Sequence, residues 1–366
     1  MNWIFIGSMI VALLIGGGSA FFAYHTRKIK PRAFTQFIKE RPDTISLKVQ
    51  RNDEVLVAQQ ENLMLPLAST AKMVIAVEYA KQAASGNINP DEVISLSTLE
   101  PFYFKRTDGG AHEAWLKEIN RQDPVTLSQV AEGMMHYSSN ANSDYLMHKL
   151  GLDRINAGLE ETGLTDHEPI FPFVAALAVP YILTTEQNLT LEGANAEIRD
   201  MSKEEYRNMT IMIMERWLDQ PCTDQEKQQI LKCLTAPAQK NWSDHLTRSN
   251  AKTYTDFMEK LNSKTFFSKK VHSHLDPLLE PLMESPKNRE WLRHTGQKGG
   301  STPHVLTFSL YATDLKDNRT EISFFADGLE LLEQIRLSKS MNDFQKAILR
   351  DEDFRTHITE KLSQKH

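Results

Sequence analysis

The amino-acid sequence predicts an α/β (α+β) fold: one antiparallel sheet flanked by helices, with a helical subdomain inserted between its strands. Three observations carry this. Strand-like alternation occurs near both sequence ends, helical periodicity fills the centre, and 366 residues at 40% hydrophobic and 25% charged bury a large core.

The first strands lie at Thr44–Gln50, where apolar and polar residues alternate, and at Glu54–Ala58, with Arg51-Asn52-Asp53 as the turn of a β-hairpin. Pro66 precedes Ser69, and Met73 to Ala84 is rich in helix formers with Gly86 as its stop. Helical patterns follow at 112–120, 126–136, 142–150, 203–218, 224–234, 253–262 and 270–284. Thr165 to Pro180 holds three prolines and no clear period, so an ordered loop is expected there. His304–Thr313 alternates again, Lys316-Asp317-Asn318 turns, Thr320–Ala326 forms another strand, and 329–363 reads as helix. The expected division is an anchor at 1–26, a basic linker at 27–42 and one domain at 43–366, with its helical subdomain at about 100–290.

The N-terminus predicts a membrane anchor. No Asp, Glu, Lys or Arg precedes Arg27, and Trp3 to Tyr24 is long and apolar enough for a bilayer-spanning helix. No basic residue opens it, and Gly18-Ser19-Ala20 is a poor cleavage site, so an uncleaved anchor fits better than a secretory signal. The cluster Arg27, Lys28, Lys30 and Arg32 after the span argues for a cytoplasmic domain. The chemistry below argues for the outside face, and the expectation follows the chemistry: a single-pass cell-membrane protein with an extracytoplasmic domain. A net charge of −6 gives no reason to expect nucleic acid. Cys222 and Cys233 read as two thiols, with a disulfide as the alternative, and no His/Cys cluster has metal-ligand spacing.

The chemistry starts at Ser69-Thr70-Ala71-Lys72. A serine hydroxyl is a poor nucleophile until a base takes its proton, and a lysine three residues along a helix shares its face. Ser69 at a helix N-terminus also offers its own N–H to a developing negative charge. The pattern recurs at Ser249-Lys252, so order decides between them. Only Ser69 is followed by Ser138-Ser139-Asn140 just after a helix, and then by Lys298-Gly299-Gly300-Ser301 before an alternating strand.

In these three motifs the chain resembles the superfamily of class A β-lactamases and penicillin-binding proteins, active-site serine hydrolases, over about residues 43–335. The resemblance implies the β-lactamase/transpeptidase-like fold and an acyl-enzyme on Ser69, with no metal or organic cofactor. Lys72 would be base or proton relay, Ser138 would pass the proton to the leaving nitrogen, and Asn140 would hold the substrate amide and Lys72. Lys298 would attract a substrate carboxylate, Gly300 would let the substrate backbone approach, and the N–H groups of Ser69 and Ser301 would form the oxyanion hole.

Two departures bear on substrate. Glu168-Pro169 resembles the loop Glu-Pro that activates the deacylating water, but Pro172 stands where the family has an asparagine. The third motif has Gly299 where a hydroxyl is usual, and the long Ser138–Lys298 spacing implies a helical insertion within 182–250. The expected function is a β-lactamase-like hydrolase of β-lactam or related amide substrates, favoured by Glu168. The alternatives are a penicillin-binding D,D-peptidase acting on cell-wall peptides, and a non-catalytic penicillin-sensing or scaffold domain.

Overall fold

The structure is a computed structural model that describes residues 26–362. Five long strands form its sheet: β1 (Ile45–Arg51), β2 (Glu54–Gln59), β3 (Leu292–Ser301), β4 (Leu306–Asp314) and β5 (Arg319–Ala326). Their order is β2-β1-β5-β4-β3, antiparallel throughout. β1 lies directly against β5, in register from Ile45 opposite Ala326 to Arg51 opposite Thr320. The two ends of the chain thus close one sheet, as the alternation at both ends predicts. β3, which carries Lys298, is an edge strand.

Each face of the sheet is covered. On one face the helices Pro31–Lys39, Leu331–Arg350 and Glu352–Leu362 pack over β-strand residues such as Phe308 and Phe324. Phe34 stacks on Phe344 at 4.5 Å and meets Phe324 edge-on at 5.5 Å. On the other face the helix Ala251–Asn262 crosses β1, β4 and β5. Beyond it lies a helical body centred on Lys72–Ser85, which is buried on nearly every side, as a helix surrounded by others must be.

The structure departs from the sequence reading in four places. Residues 27–42 are not a linker: Pro31 opens a helix whose Phe34 and Ile38 are fully buried, with Gln59 donating to Ile38 O at 3.0 Å. The Thr165–Pro180 segment ends in a helical turn at Ala175–Ala178 that runs into a helix at Val179–Glu186. Helices at Leu152–Thr162, Leu191–Asp200 and Ala236–His245 also add to those expected. Finally, the cell-membrane localisation is corrected: among the described residues no helix is long and apolar enough to cross a membrane. The Trp3–Tyr24 run that prompted it lies outside them. Cys222 and Cys233 are free thiols.

Candidate active site

Ser69 sits in a helical turn, Ala68–Ala71, wedged between the helix it precedes and the edge strand β3. The turn is held from the sheet side. Thr70 and Thr307 share a hydroxyl hydrogen bond of 2.8 Å, and Thr307 Oγ1 donates to Leu67 O at 2.8 Å. Ala68 is held at φ +45°, a left-handed conformation that costs an L-residue about 1–3 kcal/mol and recurs at functional sites. β3 comes so close that a methyl on Gly300 would fall 2.4 Å from Ser69 N and 2.8 Å from Leu67 O. Only glycine fits there.

Lys72 opens the helix Lys72–Ser85 three residues after Ser69 and is fully buried. Its ammonium donates to Ser138 O at 2.6 Å, to Asn140 Oδ1 at 2.7 Å and to Ser138 Oγ at 3.4 Å. All its acceptors are neutral. Burial pushes the Lys72 pKa well below the ordinary lysine value, and the positive charge of Lys298 pushes it further, against Asp108 and Asp144. Lys298 is 6% exposed and donates to Gly299 O at 3.2 Å, and burial lowers its pKa to about 8.

The Ser138 segment is shaped by its own polar network. A wide helical turn, Gly133–Tyr137, ends with Ser138 at φ +71°, and Asn140 then begins the next helix, capped by Ser139. Ser139 Oγ donates to Asn142 Oδ1 at 3.0 Å, and buried His112 meets both groups through Nδ1, at 2.9 and 3.1 Å. Gly133 leaves room for this network, since a Cβ there would lie 2.2 Å from Asn142 Nδ2.

Four residues after Asn140 on the same helix, buried Asp144 accepts from Phe173 N and Val174 N, both at 2.8 Å. That clamp holds the Phe173 ring 5.5 Å from the Lys72 ammonium. Burial raises the Asp144 pKa to about 7, opposed by the backbone N–H groups it accepts from.

Ser69, Ser138, Asn140, Gly300 and Ser301 line one cleft of about 760 Å³. Lys72 lies beneath it, bonded to Ser138 and Asn140, and Lys298 is buried in the adjoining strand. Glu168 is elsewhere. It pairs with Lys203 at 2.6 Å and accepts from Arg248 N at 3.0 Å, so neither oxygen faces the cleft. The side-chain bonds of Glu168 thus go to Lys203 and Arg248, and none reaches Ser69, Lys72 or Ser138. Phe173, from the same loop, is the side chain whose ring lies over Lys72. The rival Ser249-Lys252 pair is structural: Ser249 Oγ donates to Asp166 O at 2.6 Å and Lys252 pairs with Asp256 at 2.9 Å.

Sequence reasoning did not find Asp144, Phe173, His112 or Gly133. The i+4 spacing of Asp144 from Asn140 puts both on one helix face, a signal that was present. Nothing in the sequence marks Phe173.

Solved structures share the fold. A class A beta-lactamase from Bacteroides cellulosilyticus is 14% identical, with 92% of this chain and 99% of that one covered at a TM-score of 0.50. A beta-lactamase from Chitinophaga pinensis is 13% identical over 87% and 98%, TM-score 0.52. The chromosome-encoded beta-lactamase of Vibrio parahaemolyticus is 11% identical over 88% and 100%, TM-score 0.54. No curated protein shows a significant sequence match. The model of the beta-lactamase enzyme family matches residues 31–280, ending short of Lys298. With more than half of its length covered by that match, the chain belongs to the beta-lactamase enzyme family.

Proposed function

We propose that this protein is a penicillin-reactive serine hydrolase in which Ser69 attacks a β-lactam or related amide carbonyl and holds the acyl group for a long time. The reading rests on one observation: the buried Lys72 amine is gripped by Ser138 and Asn140 under the cleft that Ser69 lines. Burial makes this lysine give up its proton more readily than an ordinary one, which favours it as the base for a serine nucleophile.

In this mechanism the carbonyl oxygen lies between the N–H groups of Ser69 and Ser301. Each such donor contributes roughly 3 kcal/mol to the tetrahedral intermediate. Lys72 takes the Ser69 proton, directly or through Ser138, and Ser138 delivers a proton to the departing nitrogen. Asn140 orients the substrate amide. Lys298 acts chiefly through its field, depressing the Lys72 pKa.

Deacylation distinguishes a fast β-lactamase from a penicillin-binding D,D-peptidase, and the placement of Glu168 favours the second. With Glu168 bound to Lys203 and Phe173 over Lys72, activation of water beside the acyl-enzyme falls to cleft groups such as Lys72, Ser138 and Asp108. Rapid mixing with a chromogenic cephalosporin should give a burst of about one equivalent, then slow turnover. Ser69→Ala should abolish the burst. Multiple fast turnovers without a burst would contradict slow deacylation, and an undiminished burst in Ser69→Ala would contradict the nucleophile.

A further inference from the structure

We infer that the cleft beside Ser69 takes substrates with a long apolar acyl group, seated between two helical walls. One wall is the pair of helices Asp224–Cys233 and Ala236–His245, and the other is the first half of Leu331–Arg350. The inference rests on Ser69 being the acylated nucleophile and adds the kind of acyl group it accepts.

Leu231, Leu234, Trp242 and Leu246 from the first wall, and Leu331 and Met341 from the second, line the same cleft as Ser69. These segments are remote in sequence, yet both turn apolar side chains to one space. Leu331 is 55% exposed, and Leu231, Leu234, Trp242 and Met341 are only half-buried. Single exposed leucines need no explanation, but a set that converges on a nucleophile marks a ligand surface. The wall starts beside the reacting atom: Trp242 packs with Ala68, the residue before Ser69, together with Leu246 and Val305. Gln239 and Ser338 are polar exceptions exposed at the rim, and Gln334 is a third that is buried.

Two of the groups on β3 and just beyond it that would favour a small carboxylate ligand are absent or already engaged. Gly299 has no hydroxyl. The Thr302 hydroxyl shares a 2.7 Å bond with Ser243 and accepts from His304 N and Val305 N, both at 3.1 Å. Lys298 is buried and bonded to Gly299 O. A volume of about 760 Å³ falls within the roughly 300–1,000 Å³ of small-molecule sites and leaves room for a substituent beyond the reacting carbonyl.

The test uses neutral p-nitrophenyl esters from acetyl to decanoyl, below micelle-forming concentrations and corrected for spontaneous hydrolysis. Ser69 Oγ bonds the acyl carbon, its proton passes to the Lys72 amine, and the bond to p-nitrophenolate breaks. Water then releases the fatty acid and regenerates the serine. Full burial of a methylene raises affinity about fourfold. Even partial burial should therefore lift kcat/KM at least tenfold from acetyl to octanoyl. Leu331→Ser, at an exposed position that does not threaten the fold, and Leu231→Ser should each cut the octanoyl-to-acetyl ratio at least threefold. Rates that are flat or fall with chain length while Ser69 is still acylated, or a ratio unchanged in both variants, would overturn the apolar subsite and leave the nucleophile standing. If no ester acylates Ser69, as read by intact mass, the reading of Ser69 itself fails with it.

Discussion

In the proposed mechanism the chemistry turns on Lys72, a fully buried ammonium with neutral acceptors whose pKa is pushed below that of an ordinary lysine. Burial is the larger cause of its low pKa and Lys298 the next. Acylation needs the neutral amine, so its rate should rise with pH through the Lys72 pKa and level off well below the pH at which an ordinary lysine titrates. Removing the neighbouring positive charge raises the Lys72 pKa. Lys298→Met should therefore move the rising limb of the acylation profile to higher pH, and a profile left in place would separate the two lysines. Lys72→Ala should slow acylation by about 10²–10⁴-fold, the usual contribution of a general base. The juxtaposition of Ser69, Lys72, Ser138 and Asn140 was legible in the sequence, because each belongs to a short motif in a fixed order. The surroundings of Glu168 were not legible: a Glu-Pro pair fixes neither where its loop lies nor which basic group reaches it first, and here Lys203 does.

Among the elements, the site depends on the close approach of the edge strand β3 to the turn that bears Ser69. Backbone atoms form that contact, so they cannot move aside as a flexible side chain can. Gly300→Ala would press a methyl against Ser69 N and Leu67 O. It should cut the acylation rate at least 100-fold, in line with the loss of one oxyanion donor, while circular dichroism still reports a folded protein. A variant with full acylation activity would show that the strand does not help to form the oxyanion site. The glycines of β3 were readable as an edge-strand signal. The left-handed Ser138 and the wide turn before it were not, because tertiary contacts with His112, Ser139 and Asn142 hold them in place.

For the molecule as a whole, the sheet was the most legible part, since period-two alternation near both termini leaves little choice but to pair them. The helix at Pro31–Lys39 was missed because the basic residues around it hide two buried positions, Phe34 and Ile38. Its aromatic partners Phe324 and Phe344 come from the far end of the sequence, in β5 and the helix Leu331–Arg350. Phe344 is fully buried between Phe34 and Phe354, so Phe344→Ala should cost roughly 3–5 kcal/mol in denaturant unfolding. A loss under about 1 kcal/mol would mean that the terminal helices add little to the fold. The helices between Val179 and His245 were only partly legible, because contacts with one another rather than strong periodicity define them.

The central claim is that Ser69 is an acylatable nucleophile activated by Lys72. Intact-protein mass spectrometry after incubation with benzylpenicillin, followed by peptide mapping, tests it most directly. The account predicts one penicilloyl adduct per chain, on the peptide bearing Ser69, lasting for minutes or longer and absent from Ser69→Ala. No adduct and no drug hydrolysis, or an adduct on another residue that Ser69→Ala retains, would contradict it.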